Sequence, residues 1–248
     1  MTLPARRAVL VAAGVLAVFA GLVAMFPARL ALAWFAPPAV QAWGVEGTIW
    51  RGRAQGLLLQ ARNLGPLEWQ AQPSRLLALQ PAWDLELRPP GGHASGRVAF
   101  SLSGGRQTIS GLEASLDLAT LPPAIVPVGV VGEAHISIRR LVLRQGWPEA
   151  ISGRAAVGEL ILPGVIMAIG PFEFLFPDQA DPVRAEIRSS GGPLEVDGRV
   201  ELRERGQWHF SAELAPGENP PRELIDGLAL VGEDIGNGRR RLTLSSGP

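Results

Sequence analysis

From Val45 onward the chain alternates apolar and polar residues, and this period of two leaves few folds open to it. Trp83, Leu85 and Leu87 alternate with Asp84, Glu86 and Arg88. Val98, Phe100 and Leu102 do the same with Ala99, Ser101 and Ser103, and Ile136 and Ile138 with Ser137 and Arg139. Leu194, Val196, Val200 and Leu202 alternate with Glu195, Asp197, Glu201 and Arg203; Trp208, Phe210, Ala212 and Leu214 follow against His209, Ser211 and Glu213. Successive strand residues point to opposite sides, so each run carries one apolar and one polar face. Such strands build an antiparallel sheet covered on one side only. Pro89-Pro90-Gly91-Gly92, Gly104-Gly105, Ser190-Gly191-Gly192-Pro193 and Arg205-Gly206 fall between the runs, where turns need glycine or proline. The spacing predicts about a dozen strands. Two short helices are expected, over Pro73 to Leu79 and Pro220 to Leu230, each with proline near its start.

The pattern is also written twice. Gly52-Arg53-Ala54 returns as Gly153-Arg154-Ala155, Gly65-Pro66-Leu67-Glu68-Trp69 as Gly170-Pro171-Phe172-Glu173-Phe174, and Gly96-Arg97-Val98 as Gly198-Arg199-Val200. The offsets are 101, 105 and 102 residues, in the same order. Two tandem β repeats, 45–121 and 122–248, are therefore expected. Each copy turns at Gly-Pro into a strand with bulky apolar residues: Leu67 and Trp69 in the first, Phe172, Phe174 and Phe176 in the second. These five form a candidate apolar ligand face. Two half-sheets of this kind stack as a sandwich, or join edge to edge as one long curved open sheet with an apolar trough. The pattern satisfies both.

The N-terminus obeys a different rule. Ala8 to Phe26 is 19 residues without a charge, about 28 Å as a helix, which matches the hydrocarbon thickness of a bilayer. Arg6 and Arg7 precede it, which places residues 1–7 in the cytoplasm, 8–26 in the membrane as a signal-anchor, and the rest beyond it. A cleaved signal peptide is the competing reading, since Ala31-Leu32-Ala33 has the small-residue pattern of a cleavage site, but the apolar run exceeds a secretory core. Trp34 and Phe35 read as aromatic anchors at the far interface. Pro37-Pro38 opens a stiff juxtamembrane spacer, 27–44.

Chemistry is hard to place on this sequence. Acidic and basic residues balance at 23 each, all the basic ones being Arg, so no electrostatic footprint for nucleic acid exists. There is no cysteine, which removes disulfides, thiolate metal sites and cysteine nucleophiles. His93, His135 and His209 share no metal-ligand spacing. A nucleophile elbow, a phosphate loop and a dinucleotide fingerprint are all missing. Glu68 and Glu173 occupy matching repeat positions, yet their neighbours alternate as strands, which turns both to the solvated face. Arg239-Arg240-Arg241 reads as a solvated strand edge, and the seven tryptophans as core in a chain without tyrosine. The chain is read as non-enzymatic, with no catalytic residue, no metal and no cofactor.

The layout resembles that of the type II secretion system protein N family. Val45-Glu46-Gly47-Thr48-Ile49-Trp50-Arg51-Gly52-Arg53-Ala54 is similar to the family's Gly-Thr-(apolar)-Trp-x-Gly-x-Ala block. Leu64-Gly65-Pro66-Leu67-Glu68-Trp69 is similar to its Leu-Gly-x-Leu-x-Trp segment, followed by Pro73 and Leu76-Leu77. Ile169-Gly170-Pro171-Phe172 and Leu230-Val231-Gly232, with Gly238 and Leu242, extend a looser resemblance through the second half. The resemblance implies a single-pass component of the bacterial inner membrane, with its bulk in the periplasm. Its partners would be other type II secretion components of the inner membrane and periplasm. A lipid-binding β module, touching membrane lipid through the apolar face, is the alternative reading.

Overall fold

In the computed structural model, the described residues are 14, 21–35, 40–60, 62–76, 78–101, 105–123, 126–163, 167–178, 182–202 and 207–246. The chain enters through helix α1 (Ala28–Phe35). The strands β1 (Val40–Trp43), β2 (Glu46–Gly47), β3 (Arg51–Ala54), β4 (Gly56–Leu59), β5 (Arg62–Asn63) and β6 (Leu67–Ala71) follow. A single helical turn, α2 (Pro73–Leu76), leads to β7 (Ala82–Leu87), β8 (His93–Phe100) and β9 (Arg106–Asp117). A 3₁₀ turn at Leu118–Thr120 precedes β10 (Val131–Arg144), β11 (Trp147–Ile161), β12 (Phe172–Phe176), β13 (Val183–Ser189), β14 (Leu194–Leu202) and β15 (Trp208–Pro216). Helix α3 (Arg222–Ala229) and the hairpin β16 (Glu233–Gly236) and β17 (Arg239–Ser245) complete the described chain.

Fourteen of these strands form one antiparallel sheet in the order β16-β17-β15-β14-β13-β12-β11-β10-β9-β8-β7-β6-β3-β2. A second sheet, β1-β4-β5, stands beside it. The alternation thus yields an antiparallel β fold, as expected, and the large sheet does not close into a barrel. Between the sequence's two arrangements the pairing of β9 with β10 decides. Its register runs from Glu133 opposite Asp117 to Arg144 opposite Arg106, across the junction of the two expected repeats. The halves therefore share one sheet edge to edge.

Two of the three repeated motifs fall at matching registers in this sheet, whereas Gly-Arg-Ala is shifted by two residues, with Gly52 opposite Trp69 but Gly153 opposite Phe176. Trp69 pairs with Leu85 and Leu85 with Gly96; Phe174 pairs with Ile187 and Ile187 with Gly198. Gly65 and Gly170, each two residues before its strand (β6 and β12), both take positive φ, 82° and 143°. At Gly65 a side chain would run into the Arg88 carbonyl, so glycine is required there by conformation and by space.

The expected membrane span lies outside the described residues except for Gly14 and residues 21–26, of which 21–24 are helical. Among the described residues no helix is long and apolar enough to cross a membrane. Residues 36–39, with Pro37-Pro38, also lie outside them, while the described part of 27–44 carries α1 and β1.

Little of the sheet is fully buried. The buried positions are mostly small: Ala54, Ala71, Ala82, Ala114, Ala134 and Ala212. The tryptophans do not form the core that the sequence suggests. Trp34, Trp43, Trp147 and Trp208 are exposed, and Trp50, Trp69 and Trp83 are half-buried. A single-layer sheet provides no second layer deep enough to enclose an indole, and the half-buried rings of Trp50, Trp69 and Trp83 find hydrogen-bond partners at its margin instead.

Candidate functional site on the two faces of the sheet

Two adjacent cross-strand rows define the faces. One runs Ala54, Leu67, Leu87, Ala94, Ala114, Ile136, Ala155, Phe174, Ile187, Gly198, Ala212, Leu242 across twelve strands. Its neighbour, offset by one residue, runs Arg53, Glu68, Glu86, Ser95, Glu113, Ser137, Arg154, Leu175, Glu186, Arg199, Ser211, Thr243. Because side chains alternate, the two rows lie on opposite sides of the sheet. Only Leu175 breaks the polar row.

The polar face carries ion pairs, two of them between neighbouring strands (Arg53 with Glu46, Arg97 with Asp84), one reaching across β10 from β9 to β11 (Arg106 with Glu149) and one from β10 to the turn after β12 (Arg139 with Asp178). Arg53 meets Glu46 at 2.8 Å, Arg97 meets Asp84 at 2.7 Å, Arg106 meets Glu149 at 2.8 Å, and Arg139 meets Asp178 at 2.9 Å. All are substantially exposed, so each contributes at most about 1 kcal/mol. Burial pushes the Asp84 carboxyl up, but hydrogen bonds from Arg97 and Gln72 and the nearby guanidiniums outweigh it and hold the carboxyl below its ordinary range. The hydrogen bond from Arg106 likewise keeps Glu149 low, against a smaller opposing effect of burial.

On this face a trough of about 610 Å³ is lined by His93, Glu113, His135, Arg154, Glu173 and Arg188, among others. Its size suits a small ligand, and apolar residues such as Ala156 and Leu175 interleave with the charged ones along its walls. His93 and His135 both face Ser115, one strand on either side, with their backbones roughly 9.6 Å apart across the sheet. Among the described residues no group of three or more acidic or histidine side chains is placed to hold a metal ion. Glu68 and Glu173 are exposed on this side, as the alternation requires. Their strands stand six places apart in the sheet, about 29 Å, whereas glycosidase carboxylates stand within about 10 Å. Arg239 and Arg241 both reach Glu213, at 3.8 and 2.9 Å, and Arg240 donates to the Val231 and Gly232 carbonyls at 2.9 Å each. The arginine triplet is thus engaged within its own strand neighbourhood.

The five candidate residues of the apolar face do share one side of the sheet, but not one place. Leu67 and Trp69 are on β6; Phe172, Phe174 and Phe176 are on β12, again six places away. Phe172 is 5% exposed, packed in a cluster with Ile169, Leu194 and Leu228. Leu228 comes from α3, so this helix lies over that end of the apolar face. The remaining four are half-buried, except that Trp69 is also bound from above.

That bond belongs to a feature the sequence does not announce. The Trp69 indole N–H donates to the Thr48 carbonyl at 3.0 Å, and that of Trp83 to the Ile49 carbonyl at 2.8 Å. The Trp50 indole N–H donates to the Val23 carbonyl at 2.9 Å. Three indoles therefore clasp the entering chain to the first strands. The available signal was chemical: a half-buried indole needs an acceptor, and no polar side chain of suitable spacing offered one.

The two ends of the sheet remain as edges. β2 has two residues; β16 has four, all exposed, and pairs on one side only with β17. The register of that pair skips Ile235.

Comparison with known proteins fits this frame. The family model of type II secretion system (T2SS) protein N matches residues 38–243. Over 242 residues the chain is 25% identical to type II secretion system protein N of Aeromonas hydrophila, covering 94% of this chain and 96% of that protein. The protein of the same name from Pectobacterium carotovorum subsp. carotovorum is 23% identical over 87% of both chains. That of Vibrio cholerae serotype O1 is 23% identical over 86% of this chain and 87% of its own. No solved structure matches. With the matched span covering β1 through most of β17, the chain belongs to the type II secretion system protein N family.

Proposed function

We propose that this chain is a non-enzymatic component of the type II secretion system, anchored in the bacterial inner membrane by residues 8–26. Its N-terminus faces the cytoplasm and its sheet the periplasm, where it acts through contacts with other secretion components. The observation that carries the contact reading is the free edge at β16. An edge strand presents unpaired backbone groups to which an extended segment of a partner can add. Ile235 has no β17 partner in the register, so Ile235→Pro removes a donor from the edge without costing the hairpin a ladder bond. The variant is expected to accumulate and unfold like the wild type, yet to lose co-purification of inner-membrane secretion components and to reduce secretion. Normal secretion with normal assembly in that variant refutes edge docking. The same result in a gene deletion refutes the contact role altogether.

The repeats 45–121 and 122–248 are read as two copies of one unit, a reading supported by the shared register of β6-β7-β8 and β12-β13-β14. Retention of the anchor is supported by the clasp, because cleavage after Ala33 would remove Val23, Phe26 and Ala28 from their partners. A second reading, lipid or another apolar ligand on the inner face, is favoured by one observation: Leu85, Leu87, Ile136 and Phe176 remain half-exposed there. Native mass spectrometry of the detergent-extracted chain tests it, and a spectrum without co-purified lipid refutes it.

A further inference from the structure

The entering chain carries an apolar surface that the sheet does not use. Leu22, Met25, Leu30 and Trp34 are 65, 76, 40 and 67% exposed. In α1, Leu30 and Trp34 stand four residues apart and share one side of the helix, whereas Ala28 is 2% exposed against the fold. The Phe26 ring packs on Trp34, with centroids 5.8 Å apart.

This surface is not a loose tail. The Ile49 N–H donates to the Phe26 carbonyl at 3.1 Å, Pro27 forms a β-bridge with Thr48, and the Trp50 indole holds the Val23 carbonyl. The Trp69 and Trp83 indoles then hold Thr48 and Ile49 from the sheet. The exposed apolar residues are thus fixed relative to β3, β6 and β7.

What covers them follows from their continuity with the chain before them. Arg29 is the only charge between Ala8 and Phe35. A protein interface sets an apolar centre inside a polar rim; here the apolar surface runs without a rim into an uncharged segment of membrane-spanning length. Tryptophan is favoured at the boundary between headgroups and acyl chains, and an arginine beside it extends its head to water.

We propose that α1 seats in the interfacial layer of a lipid bilayer, with Leu30 and Trp34 toward the acyl chains, and that the indole clasp holds the first strands of the sheet at that surface. The proposal rests on the membrane-anchor reading above. The chain has no cysteine, so single labels are specific. Leu30→Cys and Ala33→Cys, each carrying an environment-sensitive fluorophore, are placed in full-length chain reconstituted into phosphatidylethanolamine–phosphatidylglycerol vesicles. His93→Cys, on the exposed polar face, is the reference. Brominated acyl chains are expected to quench the labels at 30 and 33 roughly two-fold, as for a helix buried at the headgroup boundary, and to leave the label at 93 unchanged. Equal quenching at all three positions overturns the proposal. So does a blue-shifted emission at 30 and 33 that bromine does not quench, which assigns the surface to a second copy or another protein. The two label sites are read independently, so failure of one variant to fold leaves the other decisive. Carbonate extraction of native membranes tests the anchor separately: release of the chain refutes the anchor, while the quenching still decides where α1 lies.

Discussion

Leu228→Ala tests whether α3 is held on the sheet by packing alone. The helix has eight residues and no side-chain hydrogen bond at its N-cap, Pro221. Isolated helices of that length are not stable in water, so α3 persists only through what its inner side buries. Leu228, 8% exposed, is its one buried residue and joins Ile169, Phe172 and Leu194. Buried Leu→Ala changes cost about 2–5 kcal/mol, the larger values where the site cannot collapse. A short terminal helix can move inward, so about 2–3 kcal/mol is expected here. The cost should fall on local detachment of α3 before global unfolding. The Leu230 and Val231 amides, bonded to the Gly227 and Leu228 carbonyls, report it by hydrogen exchange. A loss of about 2 kcal/mol accelerates their exchange roughly 30-fold. Ile225→Ala, at a 44% exposed site on the same helix, should change stability by less than about 0.5 kcal/mol. If Leu228→Ala leaves both amides exchanging at the wild-type rate, α3 is held by something other than this cluster and the reasoning fails.

Three further outcomes are expected. Gly52→Ala places a methyl group into the Trp69 ring and the Glu46 carbonyl. It should cost about 1–3 kcal/mol and alter tryptophan emission, which urea titration followed by fluorescence measures. Gly153→Ala, at the matching motif position, meets backbone of Ser137 and Ile138 at a φ of 146°; it should destabilise more than Gly52→Ala, because Gly153 adds a positive φ to its backbone clash, and a smaller loss contradicts this. Asp84 has a folded-state pKa below its ordinary 3.8. It therefore stabilises the fold above that value and loses the contribution as pH falls through the lower, folded value. Asp84→Asn should flatten the acid limb of a stability–pH curve below pH 3.8, by about 0.5 kcal/mol for so exposed a pair; an unchanged acid limb counts against the Arg97 pairing.

The strands were readable in the sequence where one face is apolar and the other charged. β7, β8, β14 and β15 lie where Trp83–Leu87, Val98–Phe100, Leu194–Leu202 and Trp208–Leu214 alternate. The small sheet was not, because Gly56-Leu57-Leu58-Leu59 does not alternate and its partners lie on both sides of β2 and β3. Nor was α1, whose apolar residues continue the preceding run into the expected spacer although Pro27 stands directly before its first residue. The edge-to-edge arrangement was open because sandwich and single sheet bury the same side chains; only the β9–β10 pairing separates them. The roles of Trp50, Trp69 and Trp83 depend on which carbonyls pass over them, and that is a property of the folded path rather than of spacing.

The strand order carries one more consequence. From β6 to β15 every strand pairs with its immediate neighbours in sequence. Contacts of this kind are short in chain separation, and loop closure between them is entropically cheap. Each hairpin can therefore form as soon as its second strand emerges from the ribosome or from a translocation pore, using the previous strand as its template. The clasp around Ile49 needs only the residues up to Trp83, so the junction with the entering segment is complete before two-thirds of the chain has appeared. Assembly then proceeds in one direction, and the growing edge is masked by each new strand until β16 leaves it bare.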